Sequence, residues 1–191
     1  MLLLITNQYS VKDEAKIIQE IASFDTCIIH VRKPHYSFSR MKVWLDQFSS
    51  KTTQKMMLHQ HHQLYADFSI RGIHLKESHK NGNINLPKQP KITLSAAYHN
   101  AVEAQQQSCY DYSVLSPVFD SISKANVKGK EFTIQNSKKP IIALGGVDAE
   151  NMKIACKLGF QGVAVLGSIW HSENPIEAFK TIESTYQKVY G

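Results

Sequence analysis

Residues 140–170, PIIALGGVDAENMKIACKLGFQGVAVLGSIW, constrain the fold of this chain more than any other stretch. Ile141 to Leu144 is an apolar run too short for a buried helix, closed off by Pro140 and Gly145. It reads as a strand covered on both faces, the condition of a parallel sheet. Residues 148–158 then carry Met152, Ile154, Ala155 and Leu158 at helical spacing, and Gly159 stops the helix. A second buried strand, Val163 to Leu166, runs straight into Gly167-Ser168. The unit is strand, paired glycines, helix, strand, glycine–serine.

The glycines point to chemistry. Gly145-Gly146 lets backbone N–H groups approach a ligand with no side chain between them. Ser168 reads as the N-cap of a short helix, whose first N–H groups are unpaired and favour an anion. Two such strand ends side by side predict a phosphate cup of the kind found after strands seven and eight of a TIM barrel. Glycines that merely end strands are the plain alternative, and the pairing of the two ends favours the cup.

Length and charge narrow the field. The chain has 191 residues, enough for one domain spanning 1–191. A (β/α)8 barrel usually needs about 250 residues, so eight units of roughly 24 residues each require some stunted helices. The net charge of +6 suits an anionic ligand. No nucleic-acid-binding motif is visible and the lysines are spread along the chain, so small phosphorylated substrates are expected and nucleic acid is not. Cys27, Cys109 and Cys156 lack zinc spacing and read as buried thiols of a reducing compartment. Met1 to Ile5 lacks the basic lead of a signal peptide and no run is long enough to span a membrane, so the cytoplasm is expected.

The rest of the chain alternates strands and helices. Strands are expected at Leu2–Ile5, Cys27–Val31, Met56–Leu58, Gly72–Leu75, Ile92–Ser95 and Tyr112–Leu115. Helices are expected over Asp13–Phe24, over Ser39–Phe48 with Ser39 as N-cap, briefly before Phe68, over Asn100–Gln107 and over Ile176–Val189. Lys76 to Pro90 reads as a loop, and Ser116 to Lys130 as a long loop of the sort that closes over substrates. The pattern predicts an α/β fold, a compact single-domain TIM (β/α)8 barrel.

In such a barrel the C-terminal strand ends and the loops after them form the active face. That face would collect Arg32, His59, His74, Ser95, Ser121, Ser123, Lys124, Gly145, Gly146, Gly167 and Ser168. A positive, hydroxyl-bearing mouth beside a phosphate cup suits a phosphate or pyrophosphate ester.

Several segments, in order, resemble the thiamine-phosphate synthase/TenI superfamily. Leu3-Leu-Ile-Thr6 resembles its L-I-T-D opening strand, Ile29-His-Val-Arg32 its Q-L-R strand end, and Gly72-Ile-His-Leu75 its G-V-H-L. Ser116-Pro-Val-Phe119 followed by Ser121-Ile-Ser-Lys124 is similar to G-P-V-F and T-x-T-K. Leu144-Gly-Gly-Val147 and Gly162-Val-Ala-Val165 resemble I-G-G-I and G-V-A-V.

The resemblance implies a synthase that joins hydroxymethylpyrimidine pyrophosphate to thiazole phosphate and releases pyrophosphate. It implies that Gly146, Gly167 and Ser168 hold the thiazole phosphate, that Arg32 and Lys124 hold the pyrophosphate, and that Ser121 and Ser123 donate hydrogen bonds. It also implies Mg²⁺, but the two carboxylates that would hold the ion are missing. Those positions are His59-Gln60-His61 and the neighbourhood of His79, with Glu77 close by. No residue is therefore assigned to a metal, no organic cofactor is implied, and Arg32, Lys33 and Lys124 are expected to share the charge. Assembly into a homo-oligomer is left open.

Other readings stand beside this one. A TenI-like tautomerase would work without metal and draw a base from His59, His61 or His74. A catalytically silent paralogue would only bind thiazole or thiamine phosphate. A metal hydrolase would present His30, His59 and His74 to zinc.

Overall fold

The structure is a computed structural model and describes residues 1–76, 92–122 and 127–191. Its eight strands are β1 (Leu2–Ile5), β2 (Cys27–Val31), β3 (Met56–Leu58), β4 (Gly72–Leu75), β5 (Thr93–Tyr98), β6 (Tyr112–Leu115), β7 (Ile141–Leu144) and β8 (Val163–Val165). Each pairs in parallel with the next, and β8 returns to β1 so that Leu2 lies opposite both Cys27 and Val163. The result is the closed (β/α)8 barrel that the sequence predicts.

Alternation along the strands makes two apolar layers. Leu3, Ile5, Ile28, Met57, Tyr112, Val114, Ile142 and Ala164 pack together inside the barrel. Their neighbours, among them Leu2, Leu4, Ile29, Val31, Met56 and Leu58, face outward onto the helices. Side chains two apart share a strand face, so His30 and Arg32 continue the inward line of Ile28, and His59 continues that of Met57.

The helices differ in detail from expectation. α1 (Glu14–Ile21) buries Ile18 and Ile21, and also Glu14, which its sequence pattern does not suggest. α2 (Phe38–Leu45) is capped two residues earlier than expected, by Ser37, which accepts from the Arg40 N–H, and it ends at Leu45 rather than Phe48. A short α3 (Ser50–Thr53), capped by Ser49, was not anticipated, and a 3-10 turn follows at His62–Ala66. α4 (Ala101–Gln106) is capped by Asn100 through the Val102 and Glu103 N–H groups. α5 (Met152–Lys157) begins later than expected, because the Asp148 carboxylate takes the Glu150 and Asn151 N–H groups into a turn. α6 (Gly167–Trp170) and α7 (Pro175–Tyr190) close the chain.

Most of the expected loop from Lys76 to Pro90 lies outside the described residues. Among the described residues, no helix is long and apolar enough to cross a membrane. The cysteines are not uniformly buried: Cys27 is buried, Cys156 is half-buried and Cys109 is exposed.

Candidate active site

A cavity of about 670 Å³ opens at the C-terminal strand ends. Arg32 lines it just past β2, held where it is by β1: its N–H donates to Thr6 Oγ1 at 2.9 Å, and its guanidinium reaches Gln8 Oε1 at 3.4 Å. Ser121 lines it from the loop after β6, where the Ser121 N–H donates to Val127 O at 2.9 Å. Gly145, Gly146 and Gly167 line the opposite wall. The described lining carries Arg32, His99 and His171 and no carboxylate, so the wall is suited to an anion.

The glycine pair has a second reason to exist. Gly145 and Gly146 have φ of 103° and 64°, the left-handed region that a side chain resists. The loop after β6 lies directly over them: the Val118 N–H donates to Leu144 O and the Phe119 N–H to Gly145 O, both at 2.9 Å. A Cβ on Gly146 would come within 2.1 Å of Asp120 O. These glycines admit a neighbouring backbone on one side while facing the cavity on the other.

Ser168 is not a cap. Leu166 occupies that position without a side-chain hydrogen bond, and Ser168 is the second residue of α6. Its Oγ is buried and has no hydrogen-bond partner among the described residues. The helix is reached straight from β8 with no turn for a capping serine, which is why the sequence pattern misplaces it.

His59, His74 and Ser95 are not on the cavity wall. They lie one layer deeper, inside the barrel, together with His30 and Tyr112. Five side chains make a continuous chain there. His59 Nε2 is 3.0 Å from His30 Nδ1, and His30 Nε2 is 2.6 Å from the Tyr112 hydroxyl. Tyr112 meets Ser95, and Ser95 Oγ is 2.8 Å from His74 Nδ1. The His74 ring lies back against that of His59, with centroids 4.3 Å apart. Burial pushes all three imidazoles down, His74 to about 3 with help from His62, and His30 and His59 well below the ordinary range with help from His74. Near neutral pH they are uncharged, and as general bases they are too weak to be well matched to it.

Lys33 is also elsewhere than expected. Its ammonium is fully buried between α1 and α2, 2.6 Å and 2.7 Å from the two Glu14 carboxylate oxygens, and it donates to Tyr9 O at 2.9 Å. Strand alternation turns Lys33 away from the face that Arg32 occupies, so it cannot share charge at the mouth. Burial pushes the Glu14 carboxyl up, against the pull of Lys33 and the Trp44 N–H. Ser123 and Lys124 lie outside the described residues, as do Glu77 and His79.

Mg²⁺ fits poorly what is described. The Gln60 amide donates to Lys33 O, and His61 Nε2 is 2.7 Å from Tyr36 O, so both are tied to the segment between β2 and α2. Nitrogen donors and a carboxylate-free wall do not suit an ion that prefers oxygen. The sequence reading missed Gln8, His99 and His171 on the wall. Gln8 and His99 sit just beyond β1 and β5, a position that marks barrel site residues, whereas His171 follows α6 with no such signal.

A closed parallel barrel with its cavity at the C-terminal strand ends places the chain among the TIM-barrel proteins. The sequence model of the TMP-TENI family, described as thiamine monophosphate synthase, matches residues 2–169, and the chain belongs to that family. It is 28% identical over 140 residues to the thiamine-phosphate synthase of Latilactobacillus sakei subsp. sakei (strain 23K), covering 68% of this chain and 62% of that protein. It is 30% identical over 83 residues to that of Limosilactobacillus reuteri (strain DSM 20016), covering 40% of this chain and 39% of that protein. Both alignments span less than two thirds of the relative. A thiamine phosphate pyrophosphorylase from Bacteroides thetaiotaomicron superposes with TM-score 0.76 at 23% identity, covering 97% of each chain. One from Pyrococcus furiosus gives 0.70 at 18%, covering 100% of this chain and 96% of that one. These two share the fold.

Proposed function

We propose that this chain makes thiamine phosphate in the cytoplasm, joining hydroxymethylpyrimidine pyrophosphate to thiazole phosphate with release of pyrophosphate. The observation that carries this reading is the convergence of Arg32, Ser121, Gly145, Gly146 and Gly167 on one cavity whose described wall carries no carboxylate. The volume suits two small phosphorylated heterocycles side by side. The CH₂–O bond of the pyrimidine substrate breaks and its electron pair leaves with pyrophosphate, while the thiazole nitrogen supplies the pair for the new C–N bond. No protein nucleophile is needed, so positioning and charge stabilisation carry the rate. Arg32 neutralises the departing pyrophosphate and Ser121 donates to it, and the resemblance of Ser121-Ile-Ser-Lys124 to T-x-T-K gives Ser123 and Lys124 the same task. The N–H groups around Gly146 and at the start of α6 hold the thiazole phosphate; Ser168, whose Oγ is buried and does not line the cavity, contributes through its backbone N–H.

Assaying purified protein with both substrates tests the reading. Arg32→Ala and Lys124→Ala should each lower turnover by something like 10²-fold, as removal of one transition-state donor does. Thiazole phosphate affinity should change little. Full turnover in either variant would end the role given to that residue. No turnover in the unmodified protein, with thiazole phosphate still bound, would mark a silent binder.

A second reading, proton transfer on a thiazole carboxylate phosphate, gains support from His99. Its Nδ1–H donates to Ser116 O at 2.7 Å, which fixes the ring on the cavity wall within reach of a bound substrate. In that case His99→Gln would abolish activity while Lys124→Ala would not.

A further inference from the structure

We infer that His30, His59 and His74 form a three-nitrogen site for a zinc-class divalent ion inside the barrel. One ring nitrogen from each histidine lies within 4.8 Å of the others. The pair His30 Nδ1 and His59 Nε2 is already 3.0 Å apart. Ligand nitrogens of a tetrahedral zinc ion with ordinary Zn–N bonds lie about 3.3 Å apart. The third nitrogen, from His74, completes the group within that 4.8 Å.

The surroundings match what a metal site needs. The Tyr112 hydroxyl, 2.6 Å from His30 Nε2, holds that ring with Nδ1 turned toward His59. Ser95 Oγ, 2.8 Å from His74 Nδ1, holds the third ring and leaves its other nitrogen for the ion. Such partners on the far nitrogen orient metal-bound imidazoles in general. His30, His59 and His74 come from three consecutive strand ends, β2, β3 and β4, so the sheet itself sets their spacing. Three imidazoles, with no carboxylate in the group among the described residues, select Zn²⁺, Co²⁺, Ni²⁺ or Cu²⁺ and reject Mg²⁺. The site does not depend on the proposed condensation, because none of the three lines the cavity of the mouth.

The test uses the whole chain, stripped with a chelator and titrated with Co²⁺. One ion per chain should bind and give the intense visible bands of a four- or five-coordinate centre, and Zn²⁺ should erase them. His59→Ala and His74→Ala should each weaken Co²⁺ binding by roughly 10²-fold or more, and Tyr112→Phe by about 10-fold, the effect of losing an orienting partner. A pale octahedral spectrum, no stoichiometric uptake, or bands that persist in His59→Ala would overturn the site. Zinc-edge X-ray absorption on the unmodified protein needs no variant to fold. Three imidazole neighbours support the assignment, and two or fewer overturn it.

Discussion

The carbonyl oxygen of Asp120 lies where the first side-chain carbon of residue 146 would be, 2.1 Å from a Cβ built on Gly146. The loop after β6 and the end of β7 therefore occupy each other's space, and glycine is what lets them. Gly146→Ala forces an alanine into the left-handed region and drives the loop off its seat. The conformational part alone costs about 1–2 kcal/mol. Urea denaturation should show at least that loss, and thiazole phosphate should bind more weakly. Unchanged stability and affinity would mean that the loop gives way freely.

The buried pair of Glu14 and Lys33 makes a different prediction. Glu14→Ala leaves an ammonium with no counter-charge in a fully buried position and should cost about 3–5 kcal/mol. The double variant Glu14→Leu, Lys33→Met should recover most of that loss, since well-packed apolar pairs often equal buried ion pairs. Denaturation midpoints of the three proteins decide it. A double variant no better than Glu14→Ala would show that the pair is needed for packing.

Cys27 supplies a pH test. Burial pushes its thiol from 9.0 to about 12. Between those values the unfolded chain has released the proton and the folded chain has kept it, so stability falls as pH rises. Unfolding measured at pH 8 and pH 10 should differ by about 1.4 kcal/mol from this group, and Cys27→Ala should remove that part of the difference. Tyr112, also pushed up first by burial, acts in the same direction. In the folded protein a thiol reagent should label the exposed Cys109 and spare Cys27.

If the proposed condensation holds, its dependence on Mg²⁺ should be shallow. No carboxylate lines the described cavity wall, and Gln60 and His61 are engaged with Lys33 and Tyr36. Chelation should lower turnover by less than roughly tenfold, against the larger losses usual when a metal generates or stabilises the reacting charge. Complete loss on chelation, restored by Mg²⁺ alone, would show that oxygen ligands were overlooked.

The strands were legible because a parallel barrel covers both faces of each one. Ile141–Leu144 and Tyr112–Leu115 therefore stand out as short apolar runs with the bounds observed. β5 was cut short at Ser95 because a buried serine breaks such a run, and its true continuation to Tyr98 is what puts His99 at the mouth. The glycine ends and Arg32 were legible as strand-end positions. Depth was not. Period two says which face His74 and Ser95 occupy, and does not say that they lie a layer beneath the cavity. The union of Glu14 with Lys33 was invisible for a similar reason, since only the docking of α1 on α2 brings them together.

Withdrawing Lys33 from the mouth also bears on how a substrate arrives. Among the described residues that line the cavity, Arg32 is the one with a permanent positive charge. That charge, joined by Lys124 alone if the proposed condensation holds and partly screened at physiological ionic strength, focuses only a modest field into the surrounding water. Capture of a pyrophosphate should then be nearly as fast in salt as without it, and discrimination should come from the lifetime of the bound complex rather than from the frequency of encounter.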